Sequence, residues 1–386
     1  MIYSTSNQFT HITGNFLIPA TGSFLNGAGL GSGEDRNVTV PKTFRDGKNA
    51  VPYVSAQAWK RWLRNTVIEE TGWPKSEIMQ IGTSSKGTTN KIGGMMDPVL
   101  YPEDDIFGYM RAEKGQGKSR VEDDDTNEET GDAGASSDSP KGRIKVKAVM
   151  RASPFAASLL ISIRNSGWQG RDEGFVHLQQ GTPQPYTTEF YNTHLQGVFC
   201  LNYSRLCSFS NLGDRIELEE SKVTSYLEQG AIRAGEEVFK EDYNGKRISL
   251  GRIYEMTKAQ TERKERAAAI IQALAVLRGG AKQAAFGTSV EPQAIIIAGL
   301  RSGNPVFHHM FKDSDRGPEL KINAFRETVA DYGDRIVTPT FVGIRDGYLA
   351  NEADIRGMAG KVGNNEVRVT SPLKAAQEMA TVIKSS

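Results

Sequence analysis

The stretch VPYVSAQAWKRWLRNTVIEETG, residues 51–72, places two tryptophans and three cations within six residues. Its apolar residues recur at helical spacing, and Ser55 is of a residue type that caps helices, so we predict a helix over residues 55–70. One face of this helix carries Ala56, Trp59, Leu63 and Val67, with Trp62 at its margin. The adjoining face carries Gln57, Lys60, Arg61 and Arg64. The helix is therefore expected to bury Trp59 in a core and to present a cationic stripe.

The cationic stripe has two interpretations. A row of Lys, Arg and Gln at helical spacing matches consecutive phosphates of a nucleic-acid backbone, because Lys supplies a point charge, Arg a fork and Gln a neutral donor. A solvated basic face is the alternative, since such faces are common on helices. The helix alone leaves both interpretations open.

The overall composition is that of a globular protein. The chain has 386 residues, of which 38% are apolar and 24% charged, and no window approaches the length of an apolar membrane span. Its first residues lack the basic and apolar regions of a signal peptide. Cys200 and Cys207 form no disulfide framework. We expect a single domain over residues 1–386, located in the reduced cytoplasm, with no membrane partner.

The charge is unevenly distributed along the chain. Eight acids and no Lys or Arg lie between residues 121 and 139, and without them 47 basic residues face 38 acids, a formal charge of +9. The body of the chain is therefore basic, which favours a polyanionic partner. Residues 112–142 are polar and rich in Gly and Ser, so we predict a mobile acidic loop inserted in the domain.

The order of the predicted elements indicates an α+β fold. Strand patterns occupy residues 9–19, 143–150, 187–203 and 294–300, and helix patterns occupy residues 55–70 and 257–278, the latter ending at Gly279 as its cap. The order strand, helix, strand, strand, helix, strand predicts a ferredoxin-like βαββαβ core with large insertions.

Catalytic and cofactor motifs do not match. GAGLGSG (residues 27–33) departs from G-x-G-x-x-G, and AEKGQGKS (residues 112–119) lacks the first glycine of a phosphate-binding loop. The spacing of Cys200 and Cys207 is too wide for zinc. Acids in PEDDIFGYM, residues 102–110, fit either a helix cap or a Mg²⁺ site. We expect no catalytic residue, no metal and no cofactor.

Four ordered patches resemble a known family. They are FLN with VPYVSAQAWKRWLR, then DIFGYM, then TTEFYNTHLQGVF, and finally RGGAKQAAF before an apolar strand, together spanning about residues 25–300. In this order they resemble the guide-RNA-binding backbone subunit of type I CRISPR Cascade complexes, in the DevR-like branch common in subtypes I-A and I-B.

This resemblance implies a modified RNA-recognition-motif fold shaped like a hand. Fingers are expected at about residues 75–142 and a thumb hairpin at about residues 170–190. Copies of such a subunit polymerise along a CRISPR RNA with other Cascade subunits. The bases of the guide remain available for pairing with target DNA, so the protein reads backbone and shape.

The resemblance also assigns RNA-binding residues. Met110 matches the methionine that wedges at a kinked nucleotide, and Thr188 and Phe190 lie on the return strand of the thumb. The full set is Asn26, Lys42, Ser55, Gln57, Lys60, Arg61, Arg64, Met110, Thr188, Phe190, Lys282 and Gln283.

Two other functions remain open at this stage. A backbone subunit of the type III kind would cut RNA with a metal ion held by Asp104 or Asp105. A free-standing regulator would bind duplex DNA as a small oligomer, without copurifying RNA.

Overall fold

A computed structural model describes residues 9–31, 38–77, 79–83, 90–111, 148–176, 179–182 and 184–386. Within these residues the chain is a mixed α+β protein, which confirms the expected fold class. Two sheets, of thirteen and six strands, contain most of the strands. The predicted mobile acidic loop, residues 112–142, lies outside the described residues.

The strands, in chain order, are β1 (His11–Ser23), β2 (Gly27–Leu30), β3 (Val38–Pro41), β4 (Thr43–Asp46), β5 (Asn49–Val54), β6 (Met79–Thr83), β7 (Asn90–Gly93), β8 (Tyr109–Arg111), β9 (Ala148–Arg151), β10 (Phe155–Ala157), β11 (Leu160–Ser162), β12 (Gln169–Val176), β13 (Gln184–Asn202), β14 (Ser208–Leu212), β15 (Arg215–Ile216), β16 (Ile232–Glu241), β17 (Arg247–Met256), β18 (Ala294–Leu300), β19 (Phe311–Lys312), β20 (Glu319–Leu320), β21 (Thr340–Ile344), β22 (Gly360–Val362) and β23 (Asn365–Thr370). The helices are α1 (Ala56–Thr71), α2 (Pro102–Phe107), α3 (Glu220–Glu228), α4 (Ala259–Ala275), α5 (Gln283–Phe286), α6 (Ile322–Asp331), α7 (Glu352–Arg356) and α8 (Pro372–Ser385).

The larger sheet is built around β1. Its main path runs β22-β23-β21-β18-β1-β13-β11-β5-β4, and β1 is antiparallel to both β13 and β18. Phe16 pairs with Gly197 across β1 and β13. A Cβ atom at position 197 would lie 2.4 Å from Leu160 and 2.8 Å from the Phe16 ring, so only glycine fits this close approach.

The strand predicted as the second of the core lies in the other sheet. Residues 148–151 do form a strand, β9, but it lies in the six-stranded sheet between β8 and β15. The place beside β13 in the larger sheet is taken by β11. The apolar alternation of residues 143–150 correctly predicts a strand at residues 148–150, but the expected buried face is wrong, because Val149 and Arg151 are buried whereas Ala148 and Met150 are half-buried. Alternation also does not specify which sheet the strand joins.

The two faces of the larger sheet bury separate cores. Phe16 and Ile295 point towards the core that α1, α4 and α8 cover, whereas Leu17 and Ile296 point to the opposite core beneath α6 and α7. Residues 301–386, to which the sequence patterns assign no element, supply α6, α7, α8 and strands that extend the sheet. None of the described helices combines the length and hydropathy that a membrane span requires.

The second predicted helix ends earlier than expected. α4 stops at Ala275, and Gly279 is not its cap. Gly279 has a φ of +146°, and a Cβ there would lie 2.3 Å from the ring of Trp62. The glycine is therefore explained by close packing of this loop against α1 rather than by helix termination.

The ranges expected for thumb and fingers contain the following elements. β12 pairs with the first part of β13 from Gln169↔Tyr191 to Val176↔Gln184, which makes a long antiparallel hairpin over residues 169–191. Residues 75–142 contain β6, β7, α2 and β8, together with residues outside the described ranges.

Candidate nucleic-acid interface

A groove runs along the cationic face of α1. Its volume is about 610 Å³, with α1 on one side, the end of α2 on another and residues 75–77 on a third. The side chains and backbone that line it are those of Gln57, Lys60, Arg61, Arg64, Asn65, Lys75, Ser76, Glu77, Phe107 and Gly108. The groove therefore brings together all four polar residues of the predicted stripe.

The amphipathic pattern of α1 creates this arrangement. Ser55 caps the helix, and its Oγ accepts a hydrogen bond of 3.4 Å from the Ala58 amide. Trp59 is fully buried, packs edge-on against Phe16, and donates from its indole to the Ser158 carbonyl at 2.7 Å. Because this face is fixed in the core, the polar face is turned towards the groove.

Two of the stripe residues are available to a ligand. Gln57 and Arg61 are exposed, and neither makes a hydrogen bond or ion pair with the described part of the chain. Lys60 is half-buried and donates to the Ser153 hydroxyl at 3.0 Å. Burial lowers the pKa of Lys60, because it penalises the charged ammonium. A poorly hydrated cation in a groove gains more from an anionic ligand than an exposed one does.

Arg64 lies in the groove, but acids hold it. Its Nε donates to Glu103, and its Nη2 lies 3.6 Å from Asp104 Oδ1. The Glu103 side chain is fully buried, whereas that of Arg64 is 20% exposed. The pair links α1 to α2, so this cation helps to shape the groove.

The same acids also hold residues 75–77, the third wall of the groove, through hydrogen bonds to Ser76. Glu103 accepts from the Ser76 amide, and Asp104 accepts from the Ser76 hydroxyl at 2.9 Å and from the Asp97 amide at 3.0 Å. Burial raises the pKa of Asp104, an effect opposed by these hydrogen bonds and by Arg64. The carboxylates of α2 thus act as the frame on which the groove is assembled.

Asp105 belongs to a buried ion network behind the groove. Its carboxylate pairs with Arg151 and with Arg266, whose Nη1 lies at 2.7 Å, and accepts from the Cys207 amide at 3.0 Å. Arg151 also donates to Glu217 at 2.7 Å. Within the described ranges, no group of three His, Cys, Asp or Glu residues is placed to hold a metal ion. The oxygens of Asp105 are therefore occupied by protein donors.

The amino end of α1 gathers further predicted residues. The Ser55 amide donates to Asn26 Oδ1 at 3.1 Å, and the Lys42 amide donates to the Asn26 carbonyl at 2.9 Å. Tyr191 also donates its hydroxyl to that carbonyl, at 3.2 Å. Asn26 therefore connects the loop after β1 to the first turn of the helix.

Lys282 reaches the return strand of the long hairpin. Its Nζ donates to Thr188 Oγ1 at 2.8 Å and lies 4.9 Å from the ring centre of Phe24. Lys282 has a φ of 51°, an uncommon conformation for a residue with a side chain. The adjacent Gln283 donates back to the Gly279 carbonyl at 2.6 Å. The loop is thus held in a defined shape at this end of α1.

Met110 lies beside the groove, and Phe190 lies near the Lys282–Thr188 contact. Met110 is 65% exposed on β8, two residues after the groove-lining Gly108. It is not part of the core. Phe190 packs against Phe286 of α5 with ring centres 5.8 Å apart. The structure places Met110 just past one groove wall and Phe190 at the base of the hairpin.

Lys75 and Asn65 line the groove and were not predicted. Lys75 is exposed on the wall facing α1 and makes no contact with an acid among the described residues. It follows α1 in an irregular segment with no periodicity, so no sequence signal distinguishes it from other surface lysines. Asn65 is exposed and directly follows Arg64, the last residue of the stripe.

Comparison with known proteins gives structural similarity only. No protein-family model matches the chain, and no curated protein matches it. A chain of a structure described as a CRISPR RNA-guided surveillance complex is 14% identical, with a TM-score of 0.47, 97% of this chain and 99% of that chain being covered. A chain of such a complex in a pre-nicking state is 12% identical, with a TM-score of 0.47 and coverage of 97% and 100%.

A third similar chain comes from a type III-B Cmr-beta complex bound to cognate target RNA. It is 10% identical, with a TM-score of 0.27, and the similarity covers 50% of this chain and 47% of that chain. Identities and TM-scores this low leave the function to be argued from the residues of the site.

Proposed function

We propose that this chain binds a single-stranded RNA along its sugar-phosphate backbone, as the non-catalytic backbone subunit of a type I CRISPR effector complex. The observation that carries the proposal is the groove on α1, where Gln57, Lys60, Arg61 and Lys75 present donors from two sides. Contacts of such cations and amides with phosphate oxygens carry no sequence information. The guide bases are thus left for pairing with target DNA.

The positions of the four resembling patches support the same proposal. They are distant in sequence but meet around α1. Within the first patch, Asn26 of FLN accepts a hydrogen bond from the Ser55 amide at the start of α1, and the second patch supplies Gly108 to the groove. The third and fourth patches contact each other through Thr188 and Lys282. A shared binding surface explains why these separated segments resemble one family together.

The order of the core strands supports the expected ferredoxin-like arrangement. β18, β1, β13 and β11 are adjacent in that order, and each neighbouring pair is antiparallel. In sequence these strands and two helices read β1-α1-β11-β13-α4-β18, which is a βαββαβ unit. We assign residues 75–142 to the fingers and the hairpin of residues 170–190 to the thumb of a hand-shaped subunit.

In this proposal copies of the chain polymerise along a CRISPR RNA in the cytoplasm, together with other Cascade subunits. Met110 wedges beside a kinked nucleotide, where an exposed unbranched side chain can insert without selecting a base. The subunit belongs to the DevR-like branch of subtype I-A or I-B.

The experiment is to express the full chain with a CRISPR array, purify it, and extract and sequence its nucleic acid. The proposal predicts CRISPR RNA of uniform length, and a complex whose mass increases with guide length. A nucleic-acid-free protein, or a small oligomer that prefers duplex DNA, would overturn it.

A further inference from the structure

The hairpin of β4 and β5 lies at one end of the larger sheet, directly before α1. Its strands pair from Thr43↔Pro52 to Asp46↔Asn49, and Gly47 makes the turn with a φ of +59°. All four residues of β4 are exposed, and β4 is the last strand of the main sheet path. The hairpin is therefore an accessible edge of the molecule.

This edge carries cations without acidic partners. Arg45 in β4, Lys48 in the turn and the preceding Lys42 make no side-chain hydrogen bond or ion pair with the residues that the structure describes. Most described arginines contact a carboxylate. The described arginines without a hydrogen bond or ion pair are Arg45, Arg61, Arg215, Arg247 and Arg326.

At the opposite edge of the same sheet, by contrast, basic and acidic side chains lie close together. There Lys361 of β22 lies across from Glu366 of β23, and Arg368 is ion-paired with Glu366 at 2.7 Å. Charges at that edge are balanced, as in an edge that is only protected against strand pairing. Across residues 42–54, by contrast, the three cations Lys42, Arg45 and Lys48 are accompanied by one acid, Asp46.

The base of the hairpin is connected to the proposed RNA site. The Tyr53 amide donates to the Lys42 carbonyl at 3.0 Å, and the Lys42 amide donates to Asn26, whose side chain accepts from Ser55 at the start of α1. Three hydrogen bonds thus connect the hairpin to the start of the groove helix. β5 also runs directly into α1, since it ends at Val54 and the helix begins at Ala56.

We propose that Arg45 and Lys48 form a second phosphate-binding element, which holds the same single-stranded RNA beyond the amino end of α1. This inference rests on the proposed function. Each cation that contacts a phosphate of a single strand contributes about 0.7 to the slope of log K against log salt. Two such contacts predict a slope smaller by about 1.4 in the double variant, and an affinity about ten-fold lower near physiological salt.

The test measures the binding of the full chain to long and short single-stranded RNA over a salt series. Arg45→Ala/Lys48→Ala is compared with Lys361→Ala/Lys374→Ala, which removes two other exposed cations, one of them in β22 at the opposite end of the sheet. Lys48→Ala alone, in the turn, serves if the double variant folds poorly. With long RNA, we expect the hairpin variants to have a lower affinity and a smaller slope of log K against log salt. With short RNA, they should bind as wild type does, and the control should match wild type with both.

Unchanged binding of long RNA by the hairpin variants would overturn the inference. The proposed function is judged separately by Arg61→Ala/Lys75→Ala in the groove. If the groove variant loses affinity while the hairpin variant does not, the hairpin inference alone falls. If neither variant changes binding, both fall.

Discussion

The guanidinium of Arg64 is ion-paired with the carboxylate of Glu103, so one cation of the α1 stripe is joined to a neighbouring wall of the groove. We propose that the cations of the groove without acidic partners, Arg61 on α1 and Lys75 on another wall, contact phosphates directly. Replacing Arg64 should therefore affect mainly the stability of the fold, whereas replacing Arg61 or Lys75 should affect mainly RNA binding.

Arg64→Ala is expected to destabilise the fold, because it leaves the fully buried Glu103 without its charge partner. Breaking a buried pair from one side costs roughly 3–5 kcal/mol, and the partial exposure of Arg64 favours the lower end. Urea unfolding measures the loss. Arg61→Ala is the matched control and should change stability by no more than about 0.5 kcal/mol. Equal stabilities for the two variants would contradict the framing role of Arg64.

Lys60 should make RNA binding depend on pH. Burial lowers the pKa of free Lys60, and a bound phosphate raises that pKa again, so a proton is taken up on binding between the two values. Affinity therefore falls as the pH rises through this window. Titrations at constant ionic strength should show this fall in wild type and not in Lys60→Arg, which stays charged. Identical pH profiles would exclude Lys60 as a contact.

Met110→Ala should remove the periodic distortion of the bound guide with little effect on stability, because Met110 is 65% exposed. Chemical probing of the guide detects the kinked nucleotides. Met110→Leu, which keeps an apolar side chain of similar size, should retain the pattern. If Met110→Ala leaves the pattern intact, Met110 is not the wedge.

Asp105→Asn should lower the stability by roughly 3–5 kcal/mol, because it removes the carboxylate that the buried Arg151 and Arg266 share and leaves Arg266 with only the more distant Glu262. A metal-dependent nuclease would instead lose cleavage while remaining folded. Incubating wild-type complex with Mg²⁺ and complementary RNA provides the second readout. Regularly spaced cuts that disappear in a stable Asp104→Asn or Asp105→Asn variant would establish the enzyme.

The local features of the site follow from sequence, and the long-range ones do not. The spacing of Trp59 and Leu63 predicts which face of α1 is buried, and Ser55 is a cap as its residue type indicates. The pairing of Arg64 with Glu103 joins residues 39 positions apart, which no periodicity encodes. The stripe therefore predicts four phosphate contacts, whereas packing converts one of them into a structural ion pair.

For the fold as well, local patterns predict strands but not the neighbours of each strand in a sheet. The wholly apolar run of residues 294–300 is the buried strand β18, as expected for a strand covered on both faces. The last residues of the alternating run, 148–150, lie in β9, but only the sheet order shows that this strand pairs with β8 and β15. Residues 301–386, to which no sequence pattern is assigned, supply α6 and α7 over one core and α8 over the other. The start of α8 does carry a recognisable signal, the Ser371 cap followed by Pro372.

The central claim is that unpaired cations in the α1 groove bind the phosphates of a single-stranded RNA. The most direct measurement is the salt dependence of RNA affinity for wild type and for Arg61→Ala/Lys75→Ala. Two lost contacts predict weaker binding and a slope of log K against log salt that is smaller by about 1.4, whatever the RNA sequence. Unchanged affinity and slope in a correctly folded double variant would contradict the claim.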